Sequence, residues 1–204
     1  MSIFRSSPSI GLCFAVIASG LATCLTFAQS PSDNIGPETY LIEPTHTFVT
    51  WEAKHFGTST SRGRFDKKDG YITINTIVKT GKVEISIELK SISTGTAVFD
   101  KLLQGKSFFN SDEFPTAVFI GDQFKFDGDS VTEIAGTLKL NGKTNTVTLK
   151  ASNYNCYMSP VFRKQVCGGD FDAFIKRSDF GMNYLVPFVS DATRLVIQIE
   201  AIRQ

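Results

Sequence analysis

The sequence predicts an all-β domain in which about eight antiparallel strands and one short helix form a single unit. Apolar and polar residues alternate with a period of two through most of the chain, as at residues 83–90 and 195–201. Short turn signals separate these runs, and Asn141 followed by Gly142 is the strongest of them. Helical spacing of apolar residues occurs in one segment alone, residues 96–105.

The strands are placed by this alternation, which is typical of a strand with one face on a core and one in water. The segment 127–129, Asp-Gly-Asp, predicts a turn between two of them, and Asp69 with Gly70 is expected to open another. The predicted strands lie at residues 47–56, 71–75, 83–90, 119–126, 131–140, 147–151, 171–176 and 195–201.

Strands with one apolar face can pair as two stacked sheets or close into a barrel. Turn signals between sequential neighbours favour an up-and-down barrel, which also removes exposed sheet edges. An eight-stranded barrel can be filled by its own side chains or can hold one slender ligand. Composition does not decide between these two interiors.

The helical segment, residues 96–105, has Phe99, Leu102 and Leu103 on one face and Gly105 where the helix should end. A loop with three further phenylalanines follows it, at positions 108, 109 and 114. We expect this helix and loop to lie over one barrel mouth, where they would either plug it or line an entrance.

The first 28 residues have the pattern of a cleaved signal peptide: one basic residue, an uncharged apolar stretch and small residues at 26 and 28. A membrane anchor and a lipoprotein signal around Cys24 are the alternatives. Residues 29–38 are then a flexible leader and 39–204 a single domain. This reading predicts an exported, periplasmic protein with no stable membrane insertion.

Cys156 and Cys167 are the two cysteines that remain after such cleavage, with ten residues between them. In an oxidising compartment they are expected to form a disulfide. Their spacing matches neither a CxxC redox pair nor a haem attachment motif, and two cysteines with distant histidines make a poor zinc site.

The composition disfavours several functional classes. Lys and Arg number 21 and Asp and Glu number 20, without runs of like charge, so we expect no nucleic acid partner. With two histidines and no nucleophile or phosphate-loop motif, the sequence predicts no catalytic residue, no metal site and no obligatory cofactor. His55 shares the inward face of its strand with Trp51, where it could be a core residue, a contact for a ligand headgroup or, least favoured, an acid or base. His46 is expected to be a turn or register residue.

Several segments resemble the YceI-like family of exported lipid-binding proteins, in the branch with two cysteines. The resemblance begins near Tyr40 and continues to the C-terminus. Its motifs are HTFVTW at 46–51, KHFG at 54–57, RGRF at 62–65, FFN at 108–110, FPTAVF at 114–119, GTLKLNGKT at 136–144 and RSDFGM at 177–182. A departure is Ser107, because the family often has an acidic residue before its paired aromatics.

The resemblance implies an extended, lipocalin-like barrel whose apolar cavity holds a polyisoprenoid, such as a ubiquinone-type quinone or a prenyl phosphate. It implies a non-enzymatic carrier and a possible homodimer; the alternative is an enzyme that acts on the bound lipid with His55 as acid or base. Together with the aromatic set it gives the expected ligand contacts: Trp51, His55, Phe99, Leu102, Leu103, Phe108, Phe109, Phe114, Phe119, Phe171 and Phe180.

Overall fold

A computed structural model describes residues 36–204. The signal peptide expected at 1–28 and most of the leader expected at 29–38 lie outside the described residues. The helices are α1 (Ala97–Gln104) and two short 3-10 helices, Leu89–Ser91 and Arg177–Phe180. The strands described in this part of the chain are β1 (Glu38–Ile42), β2 (Phe48–His55), β3 (Ser59–Phe65), β4 (Lys68–Asn75), β5 (Thr80–Glu88), β6 (Ile92–Ser93), β7 (Thr116–Asp127), β8 (Ser130–Leu140), β9 (Lys143–Met158), β10 (Gln165–Lys176) and β11 (Val189–Arg203).

These strands form an antiparallel barrel with eight walls. Three walls are broken strands: β1 continues into β2, β3 into β4, and β5 into β6. Each wall pairs with its sequence neighbours, and the ring closes because β11 pairs with both β2 and β1. The predicted barrel of about eight strands, with sequential neighbours paired, is confirmed.

The break between β1 and β2 is held by Glu43, a buried carboxylate. It accepts hydrogen bonds from the backbone and hydroxyl of Thr45 and from the backbone and imidazole of His46. His46 therefore is the turn residue that the sequence predicts. Burial alone would raise the pKa of Glu43, but these hydrogen bonds outweigh it and lower the pKa.

The strongest turn signal is confirmed. Asn141 and Gly142 connect β8 to β9 with φ values of 50° and 74°, which suit the twist of a tight hairpin. The predicted helix is also confirmed, with Thr96 as its N-terminal and Gly105 as its C-terminal flanking residue.

One turn prediction is wrong. Asp69 and Gly70 do not open a strand but lie inside β4, paired with β5. A Cβ placed on Gly70 would lie 2.2 Å from the carbonyl oxygen of Glu84. The glycine is therefore needed for close strand approach and not for a turn.

The β9–β10 hairpin is longer than the alternation predicts. Cys156 and Cys167 face each other across it with their Cα atoms 4.1 Å apart, and they form the predicted disulfide. This hairpin lies at the end of the barrel where β1 pairs with β11, which we call the closed end. The other end, the open end, carries the β2–β3 turn, α1 and the loop after it, the β8–β9 turn and residues 177–188.

Candidate functional site

Two adjoining cavities run through the barrel interior. The inner compartment, toward the closed end, has a volume of about 110 Å³, and the outer compartment, toward the open end, about 300 Å³. Four apolar side chains line both of them: Val49, Ile87, Leu138 and Leu195. The interior is therefore hollow, with two neighbouring compartments that share these four side chains as a common wall.

The lining follows directly from the period-two pattern. On β11 the inward side chains are Leu195, Ile197, Ile199 and Ala201, and all four line the inner compartment. Because alternate residues of a strand point to opposite faces, each apolar run contributes one row of side chains to the wall.

The inner compartment has two phenols but no charged side chain. The Tyr40 hydroxyl lies 2.6 Å from the Glu38 carboxylate and 2.9 Å from the side-chain amide of Gln165. Burial, followed by the hydrogen bond to Glu38, raises the pKa of Tyr40 strongly, and burial also raises the pKa of Tyr154. Both phenols therefore stay neutral, and this space suits hydrocarbon.

The outer compartment has a buried cation in its wall, Arg177. Its guanidinium donates hydrogen bonds to three backbone carbonyls, those of Met182 at 2.7 Å, Val189 at 2.9 Å and Ser190 at 3.0 Å. Burial lowers the pKa of Arg177 while the charge of Asp191 raises it, and a guanidinium remains protonated in either case. Each terminal nitrogen keeps a second N–H.

Four further polar side chains line the outer compartment: Ser61, Thr193, His55 and, at its edge, Tyr184. Thr193 is buried. His55 is exposed and its ring lies 4.8 Å from that of Phe56. These groups supply donors and acceptors in the open-end compartment, beside its one charged side chain, Arg177.

Trp51 lies in the wall of the same compartment. Its indole N–H is buried and finds no hydrogen-bond partner among the described residues. The ring packs on Gly63 of the neighbouring strand, where a Cβ would lie 2.7 Å from ring atom Cζ2. A larger residue at position 63 would displace the indole.

The compartment opens to solvent at a mouth. Leu102, Tyr184 and Leu185 each line the cavity and are also exposed, so they mark its edge. The Tyr184 ring meets the ring of Phe108 edge to face, with centroids 5.6 Å apart. Helix α1 and the loop that contains Tyr184 thus both border the opening.

The structure brings together most of the residues expected to contact a ligand. The outer compartment is lined by Trp51, His55, Phe99, Leu102, Leu103, Phe108 and Phe109, and the inner one by Phe119 and Phe171. Phe114 and Phe180 line neither cavity. Phe114 packs against the β8–β9 turn, where a Cβ on Gly142 would lie 2.7 Å from its ring, and Phe180 is a fully buried core residue.

Sequence reasoning missed seven polar cavity residues: Tyr40, Thr47 and Tyr154 in the inner compartment and Ser61, Arg177, Tyr184 and Thr193 in the outer one. Two of them had a signal in the alternation. Arg177 continues the inward row Phe171, Ala173 and Ile175, and Thr193 precedes the inward row of β11 by two positions. A polar residue in register with an apolar face is therefore a usable signal for a cavity contact.

Within residues 36–204, no helix is long and apolar enough to cross a membrane. The same part of the chain has no group of three or more His, Cys, Asp or Glu side chains placed to hold a metal ion.

The family model for the YceI-like domain matches residues 40–201. A UPF0312 protein of Pseudomonas paraeruginosa is 34% identical over 163 residues, which cover 79% of this chain and 84% of that protein. A protein YceI of Salmonella arizonae is 32% identical over 163 residues, with the same coverage of both chains.

Solved structures share the fold. BcnA of Burkholderia cenocepacia has a TM-score of 0.65 at 19% identity and covers 78% of this chain and 98% of its own. A YCEI protein of Campylobacter jejuni has a TM-score of 0.63 at 23% identity, covering 74% and 90%. A polyisoprenoid binding domain from Saccharophagus degradans has a TM-score of 0.57 at 14% identity, covering 81% and 98%. With the family model matched along nearly all of the described barrel, and relatives above 30% identity over most of their length, this chain belongs to the YceI-like family.

Proposed function

We propose that this protein is a non-enzymatic carrier that binds a long-chain isoprenoid lipid inside its barrel. The observation that carries the proposal is the pair of adjoining cavities, whose walls are almost entirely apolar and which open at one end. An apolar pocket with a few convergent polar groups is the usual form of a small-molecule site. A small apolar space beyond a larger one along the barrel suits a chain better than a compact ligand.

The orientation of the lipid follows from the positions of the polar groups. The tail enters the inner compartment, where the phenols of Tyr40 and Tyr154 are neutral and no charge is present. The headgroup stays in the outer compartment beside Arg177, Thr193 and His55. A ubiquinone-type carbonyl or a prenyl phosphate oxygen could accept a hydrogen bond there.

Two further lines support the proposal. The structural neighbour from Saccharophagus degradans is named as a polyisoprenoid binding domain, and it shares this fold. The disulfide between Cys156 and Cys167 fits an oxidising compartment, so we place the carrier in the periplasm, exported by the signal peptide expected at 1–28.

The affinity should come mostly from the tail. Each buried CH₂ contributes about 0.8 kcal/mol before the cost of ordering a flexible chain. We therefore expect broad specificity among headgroups of similar size. Competition among a quinone, a prenyl alcohol and a fatty amide of equal length measures this, and a preference of about 100-fold or more set by the headgroup would contradict it.

The first experiment is organic extraction of the purified protein followed by mass spectrometry. The proposal expects an isoprenoid in stoichiometric amount, whereas a barrel that acts only through its outer surface would yield none. An enzyme with His55 as acid or base would instead turn over the extracted lipid, with a pH profile that His55→Gln abolishes. The carrier function is supported if His55→Gln retains its lipid and neither the wild type nor the variant turns the lipid over.

A further inference from the structure

The open end carries a set of exposed apolar side chains that we call the apolar rim. Val98 is 82% exposed, Phe188 is 62% exposed, and the others are also solvent-facing. Isolated exposed apolar residues are common, but a group around one opening indicates an interaction site. The rim consists of Phe56, Val98, Leu102, Tyr184, Leu185 and Phe188.

Contacts join the rim to the mouth. The rings of Phe56 and Phe188 stack with centroids 5.7 Å apart, and the Phe56 amide donates to the Phe188 carbonyl. Val98 lies one turn before Leu102 on α1, so both project from the same helix face. Since Leu102 also lines the outer compartment, rim and cavity form one continuous apolar surface.

Lysines flank this rim. Lys54, Lys101 and Lys106 are exposed, and none of them forms an ion pair among the described residues. Lys143 and Lys176 are also exposed at this end and form no ion pair among the described residues. The carboxylates of the same elements are Asp100, Glu113 and Asp179, together with Asp112, which pairs with Lys90. Unpaired exposed lysines therefore outnumber unpaired carboxylates around the mouth.

We propose that the apolar rim docks on an anionic phospholipid bilayer, so that a lipid passes between membrane and barrel without crossing water. This inference rests on the proposed carrier function and names the surface to which the carrier would bind. Apolar side chains inserted at the headgroup boundary together with adjacent lysines are the two contributions that hold a protein reversibly at a membrane surface. Leu102 and Leu185, which reach from rim to cavity, would then border the path of the chain.

A bilayer fits the rim better than a second copy of this chain. A two-fold dimer places the same surface against itself, so the lysines of one rim would approach those of the other. Like charges at an interface disfavour association, whereas anionic headgroups neutralise all three lysines.

The test is flotation of the lipid-loaded protein with vesicles of phosphatidylethanolamine and phosphatidylglycerol. We expect binding that weakens at high salt and with vesicles of phosphatidylcholine alone. Val98→Glu with Phe188→Glu should lower the vesicle-bound partition about tenfold or more, because neither side chain can then insert. The control is Met158→Glu with Val161→Glu: these residues are 68% and 81% exposed, lie at the closed end, and should leave binding unchanged.

Equilibrium binding of a short-chain isoprenol, read from Trp51 fluorescence, separates the two proposals and shows whether each variant is folded. Bilayer docking is overturned, and the carrier function stands, if the wild type binds isoprenol but does not bind vesicles. The same conclusion follows if the two double variants bind isoprenol and bind vesicles equally well. If the wild type binds no isoprenol, the carrier function itself fails. Sedimentation analysis adds one outcome: a dimer that Val98→Glu dissociates would assign the rim to a second copy and also overturn bilayer docking.

Discussion

The two ends of the barrel are built from the same alternating strands, yet they close in different ways. At the closed end, β1 pairs with β4 and with β11, and a disulfide crosses the adjacent hairpin. At the open end, loops and α1 replace strand pairing, and the largest organising contact is the Arg177 guanidinium on three carbonyls. The interior is correspondingly about 110 Å³ at one end and about 300 Å³ at the other.

This difference shows how one pattern can give both a rigid base and an accessible mouth. Continuous backbone pairing satisfies its own hydrogen bonds along the closed end. Residues 181–189 do so only in part, through turn hydrogen bonds such as that from the Val189 amide to the Leu185 carbonyl, and the Arg177 guanidinium binds the carbonyls of Met182 and Val189. Segments with few backbone partners open at lower free energy than paired strands, so exchange of ligand is expected at the open end.

The largest expected effect tests the Arg177 contact. Arg177→Met leaves three backbone carbonyls without their donor, and the free energy of unfolding should fall by about 3 kcal/mol or more. Urea denaturation measures the loss, and amide hydrogen exchange should accelerate in residues 181–189 before the closed end. The control is Arg203→Met at the closed end, where a surface ion pair with Glu38 should contribute about 1 kcal/mol or less. Equal losses in both variants would contradict this view of the open end.

Removal of the disulfide tests the closed end. Replacing Cys156 and Cys167 with Ala opens a short covalent loop, and the chain-entropy model gives a loss of about 3 kcal/mol. Denaturation of the variant and of the oxidised wild type measures it, while isoprenol binding at the mouth should not change. A thiol assay on the denatured, unreduced wild type should find no free cysteine. An unchanged unfolding midpoint would show that strand pairing alone holds this end.

A cavity-filling substitution separates the two compartments. Val83 lines the inner compartment but not the outer one, so Val83→Phe should shorten the space available to a tail. We expect binding of a long-chain isoprenoid to weaken about tenfold, while a short chain that occupies the outer compartment binds as before. Fluorescence titration of Trp51 measures both, and Val161→Phe on the exposed hairpin tip is the matched control. Equal weakening for short and long chains would contradict the assignment of the tail to the inner compartment.

The smallest expected effect concerns pH. The pKa of Glu43 is lower in the folded protein than its ordinary value of 4.5, so its ionised form stabilises the fold above that pH. This contribution is lost as the pH falls through the folded-state pKa. Glu43→Gln should therefore flatten the acid side of the stability profile by about 1 kcal/mol or less. The control is Glu88→Gln, which removes an exposed carboxylate at the open end. Identical stability profiles for the two variants would contradict the role of Glu43.

Much of this architecture could be predicted from the sequence because its signals are local. Asn141 with Gly142 has a backbone requirement that few other residues meet, and residues 96–105 have helical spacing. The predicted strands missed β1, β3 and the two-residue β6. The polar residues of β3, Ser59 to Arg62, hide its alternation, and they form a strand because β2 pairs with them.

The site was less predictable because its limits depend on packing. Phe119 and Phe171, expected as ligand contacts from the resemblance and the aromatic set, line the inner compartment. Phe114 and Phe180 are equally large and apolar, but they pack outside both cavities, near the β8–β9 turn or in the core. Residue type does not distinguish a side chain that lines a space from one that fills it.

The two termini of the described chain lie side by side at the closed end. Glu38 pairs with Arg203, and the Gln204 amide donates to the Thr39 carbonyl. A short engineered linker could therefore join them, and new termini could be cut in the exposed hairpin tip near Val161 with the order of the walls unchanged. Such a circular permutant, or the protein immobilised by its C-terminus on a sensor chip, would present an unobstructed entrance to the solution.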